Sequence, residues 1–299
     1  MKKSVFYSIL FTAIIGFTAY VLLDAFVIPR VYGSEISTIS NTAAKNSTTA
    51  QTTVENAVQT ETTYTDENIS ITLKEYEQDG TVIYVADVKL SSAEYLKTAL
   101  AKGYYGKNIS DKTSNIAESV NAILAINGDN YGARETGYVI RQGTVYRSTP
   151  SNGDALAIYS DGSFKIINQS EISAEELAES GAVNVFSFGP ALVENGEVTV
   201  NRNTEVGKAM QSNPRTAIGI IDDLHYVFVV SDGRTNESEG LSLYELACFM
   251  ENIGVKTAYN FDGGGSSTIV FGGNVINNPT TNGKSIKERS VTDIVYIGY

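Results

Sequence analysis

Hydrophobic and polar positions change rhythm several times along the chain. An apolar run covers residues 5–23, with Lys2 and Lys3 before it and Asp24 just after. A run of about twenty such residues is what a helix needs to cross a bilayer, and the basic flank places the N-terminus in the cytoplasm. A cleaved signal peptide ending near Val31-Tyr32-Gly33 is the alternative. The run is longer than most signal-peptide cores, which favours an uncleaved transmembrane anchor over residues 1–28. Either way, the remainder is expected outside the cytoplasm. Residues 29–68, above all 34–65, are rich in Ser, Thr, Asn, Gln and Ala and read as a disordered linker. The folded domain is expected over residues 69–299.

Within that domain the rhythm is mostly of period two. Residues 81–90 alternate, with Val82, Tyr84, Ala86, Val88 and Leu90 on one face of a strand. Ser91 and Glu94 form a capping-box pattern that predicts a short helix to about Lys102. A second helix is expected over 114–121, followed by a strand over 122–126. Gln142-Gly143, Asp161-Gly162 and Asn195-Gly196 each separate two short runs and predict hairpins. Ser173 and Glu176 cap a helix over 174–180, and Ser242 and Glu245 cap another that ends at Gly254. A long hairpin is expected to turn at Asp222-Asp223, with Ile221 facing Leu224 and Arg215 facing Val230. Strands over 255–261 and 294–299 close the chain. The predicted class is α+β, a mixed and mostly antiparallel sheet with flanking helices.

Composition narrows the chemistry. A formal net charge of -12 leaves no broad basic face for nucleic acid. One cysteine, Cys248, and one histidine, His225, exclude an intrachain disulfide and a Cys/His zinc site. A Ser-His-Asp triad would have to use His225, which falls near a hairpin turn and reads as a sheet-edge residue. Cys248 lies within a predicted helix and reads as a packing residue.

Four polar constellations stand at strand ends or turns: Asn127 with Asp129, Arg215 with Asp232 and Arg234, Asp262 with 263–267, and Arg289 with Asp293. The run Asp262-Gly263-Gly264-Gly265-Ser266-Ser267 puts a carboxylate at the end of a strand. Three glycines follow it, and their amides can form an anion-binding nest. Arginines hold phosphate bidentately, and carboxylates do acid/base or nucleophilic work at a sugar carbon. Together these residue types suit a ligand that carries both phosphate and sugar.

The blocks Asn-Gly-Asp-Asn-Tyr (127–131), Phe-Gly-Pro-Ala-Leu (188–192), Pro-Arg-Thr-Ala-Ile-Gly (214–219), Val-Ser-Asp-Gly-Arg (230–234), Asn-Phe-Asp-Gly-Gly-Gly-Ser-Ser (260–267) and Glu288-Arg289 follow one another in this order. The series resembles the phosphodiester glycosidase family, and most of all its bacterial, membrane-anchored branch, over roughly residues 69–299. The resemblance implies hydrolysis of a glycosyl-1-phosphodiester in envelope or exopolysaccharide glycans. It also implies roles for particular residues. Asp262 is the expected catalytic carboxylate, with Asp129 or Asp232 as its acid/base partner. Arg215, with Arg289, is expected to bind the phosphodiester, assisted by the amides of Gly263, Gly264 and Gly265, and Thr216 and Arg234 are expected to contact the substrate. Asn127 and Ser266 are expected to orient the substrate. The family's first block has no carboxylate where Asp129 stands, so Asp129 bears on sugar preference. A calcium or magnesium ion near Asp262 and Asp129 would suit hard oxygen ligands, although no loop has calcium-binding spacing. Two other readings use the same cleft: an anchored protein that binds anionic glycans without turnover, and a transferase that replaces water with a sugar acceptor. The expected partners are a glycosyl-phosphate or anionic polysaccharide and, through the first helix, a membrane.

Overall fold

The computed structural model describes residues 3–35, 57–204 and 212–299. Its first element is the helix α1, Lys3–Phe26. The stretch Tyr7–Phe26 is long and apolar enough to cross a membrane, and none of it is buried within the molecule. The disordered-linker reading of residues 36–56 lies outside the described residues.

Among the described residues three larger sheets make the domain, and every strand pair in them is antiparallel. The largest has nine strands in the order Glu197–Val198, Ala191–Glu194, Thr257–Asn260, Arg215–Asp222, His225–Ser231, Thr81–Leu90, Ile69–Gln78, Thr63–Thr65 and Val58–Gln59. A second sheet orders Asn274–Val275, Ile269–Phe271, Leu124–Asn127, Asp293–Ile297 and Leu96–Leu100. The third orders Thr144–Arg147, Val139–Arg141, Ala182–Phe186, Asp154–Tyr159 and Phe164–Asn168. A two-stranded ribbon pairs Arg30–Ser34 with Tyr104–Lys107. The fold is α+β and mostly antiparallel, as the period-two rhythm predicts.

Alternation along the strands sorts side chains between layers. Ile218, Phe228 and Phe261 of the large sheet, Ile126 and Val295 of the second, and Leu156 and Phe186 of the third meet in one central core. The outer face of each sheet is covered by one helix. Leu246 and Met250 of α4 (Leu243–Asn252) pack on Ile83, Val85 and Val227. Ile116 of α2 (Thr113–Ser119) packs on Ala125 and Ile294, and Leu177 of α3 (Ala174–Glu179) packs on Ala155 and Val185. Each buried side chain of this size contributes about 2 kcal/mol. The strand Thr81–Leu90 is therefore buried on both faces at its centre, and not on one face alone. Both capping boxes form as the sequence predicts, Ser173 with Glu176 and Ser242 with Glu245.

Three expectations change. The helix expected from Ser91 to Lys102 is only a 3-10 turn, Ala93–Tyr95, with Ser92 and not Ser91 accepting the Glu94 N–H. Leu96–Leu100 is a strand because Asp293–Ile297 pairs with it along its whole length, and pairing of this kind overrides helix propensity. In the long hairpin, Arg215 pairs with Ser231 and Thr216 with Val230. The turn falls at Asp223-Leu224 and not at Asp222-Asp223, with Leu224 at φ +54° and Asp222 opposite His225. An irregularity between Ile220 and Asp222 takes back one residue, which leaves the register one off the expected one. Finally, ordered structure begins before residue 69, since Arg30–Ser34, Val58–Gln59 and Thr63–Thr65 are all strands.

Candidate active site

The strand Thr257–Asn260 ends two residues before Asp262, on the turn that begins the 3-10 segment Gly264–Ser266. The turn is tied to its neighbours through the backbone. Phe261 N–H donates to Thr216 C=O (2.8 Å), Asp262 N–H to Gly128 C=O (3.3 Å) and Gly264 N–H to Pro214 C=O (2.8 Å). Ala217 pairs with Asn260, and continuing that alignment places Arg215 opposite Asp262. Gly264 has φ +61°, and a Cβ there would lie 2.9 Å from an Arg234 guanidinium nitrogen. The backbone conformation favours glycine here, and its lack of a side chain leaves room for the arginine.

Asp262 is the centre of a compact polar cluster. Its Oδ2 accepts from Ser266 Oγ (2.6 Å) and from an Arg289 terminal nitrogen (2.7 Å). Arg289 Nε also donates to Ser266 Oγ (2.9 Å), and its backbone N–H to Gly265 C=O (3.1 Å). Oδ1 of Asp262 has no partner among the described residues, and the side chains of Asp262 and Arg289 keep 11% and 40% of their exposure. Arg234, with φ +64°, closes the other side of the turn. It donates to Asn213 Oδ1 (2.7 and 3.1 Å) and to Thr281 C=O (2.5 Å), all neutral acceptors. Partial burial and then the charge of Arg289 hold the Arg234 guanidinium below its ordinary pKa. An open cavity of about 600 Å³ adjoins Arg234, Ser212, Glu239, Thr281 and Asn282.

Other expected site residues hold this turn from behind. Asn127 is fully buried; its Nδ2 donates to Asp262 C=O (2.7 Å), and its Oδ1 accepts from Thr216 Oγ1 (2.8 Å) and Thr268 N–H (3.2 Å). Asp232 accepts from Asn277 Nδ2 (3.1 Å) and from both the N–H and the Nδ2 of Asn278 (2.9 and 3.0 Å). Asn277 in turn donates to Ser267 C=O (3.0 Å), so Asp232 braces the segment that follows the glycines. Burial, with Asp232 beside it, pushes the Tyr84 hydroxyl up to about 12. Arg215 is buried, with Nε donating to Leu241 C=O (2.8 Å) and its N–H to Ser231 Oγ (3.0 Å).

Asp129 belongs to a different group. It accepts from Arg141 (3.0 Å) and from Ser187 N–H (3.0 Å), while Arg141 also bonds Asp293 (2.6 Å). All three are essentially fully buried, and Arg141 also lies 4.0 Å over the ring of Phe186. Burial pushes Asp293 up to about 6, with Arg141 opposing the shift and Asp129 adding to it. A Cβ on Gly128 would lie 2.5 Å from the Asp293 carboxylate, so only glycine fits between this cluster and Asp262. His225 pairs with Asp87 (2.9 Å) at the hairpin's turn end, away from these groups. For a divalent cation the donor set is thin. Among the described residues no group of three or more His, Cys, Asp or Glu side chains could hold a metal ion.

Sequence reasoning passed over Arg141, Asn213 and Asn277. Arg141 carried a usable signal, a charge inside the apolar strand Val139–Arg141. Asn213 and Asn277 carried none, because asparagine in a loop is ordinarily a turn residue.

A fold with a carboxylate, two guanidiniums and a glycine turn at strand ends is compared best through its relatives. The family model described as phosphodiester glycosidase matches residues 120–298, and the chain belongs to that family. It is 28% identical over 275 residues to the SPbeta prophage-derived uncharacterized protein YomE of Bacillus subtilis, covering 82% of this chain and 42% of that protein. It is 32% identical over 123 residues to N-acetylglucosamine-1-phosphodiester alpha-N-acetylglucosaminidase of Homo sapiens, covering 36% of this chain and 24% of that enzyme. The chain thus spans less than half the length of either. Among solved structures, the zebrafish N-acetylglucosamine-1-phosphodiester alpha-N-acetylglucosaminidase catalytic domain, auto-inhibited by its pro-peptide, shares the fold. The TM-score is 0.61 at 19% identity, over 77% of this chain and 83% of that one.

Proposed function

We propose that this protein is an extracytoplasmic hydrolase that cleaves the sugar–phosphate bond of glycosyl-1-phosphodiesters in envelope or exopolysaccharide glycans. One observation carries the reading. Asp262 has one oxygen fixed by Arg289 and Ser266 and the other open, next to a second guanidinium, Arg234, that has no carboxylate partner among the described residues. The phosphodiester sits between Arg234 and Arg289, with the amides of the glycine turn assisting. The open oxygen of Asp262 faces the anomeric carbon or the water that attacks it. The C1–O bond to phosphate breaks, its electron pair leaves with the phosphate monoester, and water supplies the new C1–O bond and one proton to the medium. A phosphate leaving group needs little protonation, so one carboxylate suffices. Asn127, Asp232 and Arg215 act as positioning residues for the turn. The membrane helix keeps the enzyme beside its polymeric substrate.

The test uses the full chain and a glycosyl-1-phosphodiester of N-acetylglucosamine, the sugar in the human relative's name. Free sugar and phosphate monoester are the expected products. Asp262→Asn is expected to lower kcat/KM by about 10²–10⁴-fold. Binding without turnover in the wild type would replace this reading with a glycan-binding one, and wild-type turnover in folded Asp262→Asn would remove Asp262 from the mechanism.

A further inference from the structure

The membrane helix and the domain are not joined by a loose tether. Only residues 27–29 separate α1 from the strand Arg30–Ser34, which pairs directly with Tyr104–Lys107. The end of α1 is also held by the domain itself. Asn108, in the left-handed region at φ +56°, donates from Nδ2 to Ile28 C=O (3.0 Å) and Ala25 C=O (3.4 Å). Ala25 C=O belongs to the last turn of the helix, where partners inside the helix run out, and Ile28 C=O lies just beyond it. Arg30 reaches back to form an ion pair with Asp24. With three separate links, the direction of α1 fixes the direction of the domain.

That arrangement leaves apolar side chains exposed where the helix leaves the bilayer. Val27, Ile28, Val31, Tyr32 and Tyr104 are all exposed, the two tyrosines at 63% and 45%. Arg30 and Lys107 stand side by side in the ribbon, and exposed Lys102 lies two residues before Tyr104. Tyrosines with an apolar body and a polar tip collect at the level of lipid headgroups, and basic residues there are drawn to anionic lipid. The chain as a whole carries a net charge of -12; here Asp24 offsets Arg30, and Lys102 and Lys107 supply positive charge beside the two tyrosines.

We infer that the ribbon formed by Arg30–Ser34 and Tyr104–Lys107 docks on the headgroup layer of the membrane that α1 crosses, so that the domain lies on the bilayer in one orientation. The inference rests on α1 being an uncleaved span. The patch is continuous with that helix, which is why lipid, and not another protein, is its occupant.

The chain has no tryptophan, so a single introduced indole reports its own surroundings. Full-length Tyr32→Trp, Tyr104→Trp, Phe17→Trp and Tyr244→Trp variants are reconstituted separately in phosphatidylethanolamine–phosphatidylglycerol vesicles that contain brominated phospholipid. Tyr244 lies on α4, which packs against the strands Ala191–Glu194 and Glu197–Val198 and serves as the remote position. The expected result is quenching of Phe17→Trp by bromines deep in the acyl chains. Tyr32→Trp and Tyr104→Trp should be quenched by bromines near the headgroup, and Tyr244→Trp should be unaffected. Adding Asn108→Gly, which keeps the left-handed backbone and removes the cap, should weaken the Tyr104→Trp signal at least twofold. If Phe17→Trp is quenched while positions 32 and 104 are not, the docking is wrong and the span stands. If Phe17→Trp is not quenched, both are wrong.

Discussion

Two arginine–carboxylate clusters lie on either side of Gly128, and they differ in what surrounds them. Arg141 bonds Asp129 and Asp293 with all three side chains at 2% exposure or less. Its remaining guanidinium nitrogen donates to Ile140 and Val185 C=O, and Phe186 lies against its face. Arg289 bonds Asp262 at a similar distance, yet keeps 40% of its side-chain exposure. The buried cluster has its donors and acceptors met by the protein, so nothing is left for a ligand. The open one leaves an Asp262 oxygen available and has Arg234 beside it with only neutral partners. The same residue types therefore give a structural joint in one place and a candidate binding centre in the other, and burial decides which.

The largest way to break this comparison is to remove Arg141. Arg141→Met leaves two carboxylates buried without their cation, which costs about 3–5 kcal/mol of stability. The midpoint of denaturant unfolding measures it. Replacing Asp129 and Asp293 by asparagine in the same chain should restore part of that loss, because the uncompensated charge goes with them. By contrast, Asp262→Asn should cost less, since its partner Arg289 keeps 40% of its side-chain exposure and stays solvated without the carboxylate. An Arg141→Met protein as stable as wild type would show that the two clusters do not divide in this way.

Asp293 gives a pH-dependent form of the same test. Its folded pKa of about 6 lies above its ordinary value of 3.8. Between those values the native state binds more protons than the unfolded one, so this group's contribution to stability falls as pH rises. It is fully present below the ordinary value and is lost as pH passes through about 6. Within that window the slope is at most about 1.4 kcal/mol per pH unit. Subtracting Asp293→Asn from wild type isolates it from the other carboxylates. The difference in unfolding free energy should tilt across about pH 4 to 7, and a flat difference contradicts the assignment.

Much of this was legible in the residues. Asp-Gly and Asn-Gly turns, two capping boxes and the alternation of residues 81–90 are local signals, and the elements they predict are present. Residues 91–102 were misread because their conformation is set by a partner nearly two hundred positions away, the strand Asp293–Ile297. The hairpin register differs by one because the turn falls at Asp223-Leu224 and not at Asp222-Asp223, and the irregularity at Ile220–Asp222 takes back only part of that shift. At the site, the glycine run marked Asp262 plainly. Nothing in the Asn-Gly-Asp block told Asp129 from Asp262, because the difference is the arginine that each side chain meets and how deeply both are buried. That information belongs to packing and not to spacing.

The smallest expected effect sharpens the comparison from the open side. Arg234→Gln puts an amide nitrogen where Nε stands and so keeps a donor for Asn213 Oδ1, giving up the bond to Thr281 C=O at the exposed side of the turn. What also disappears is a positive charge that has no carboxylate partner among the described residues. If that charge is there for the phosphodiester, KM should rise about tenfold, or about 1.4 kcal/mol, with kcat changed much less. The wild type should also lose affinity as salt is raised, and the variant should lose less, because one charge fewer is screened. A fall in kcat with KM unchanged would instead place Arg234 on the transition state alone. Unchanged kinetics with a lowered unfolding midpoint would move Arg234 into the same class as Arg141, a structural joint, and leave Arg289 as the cation that faces the substrate.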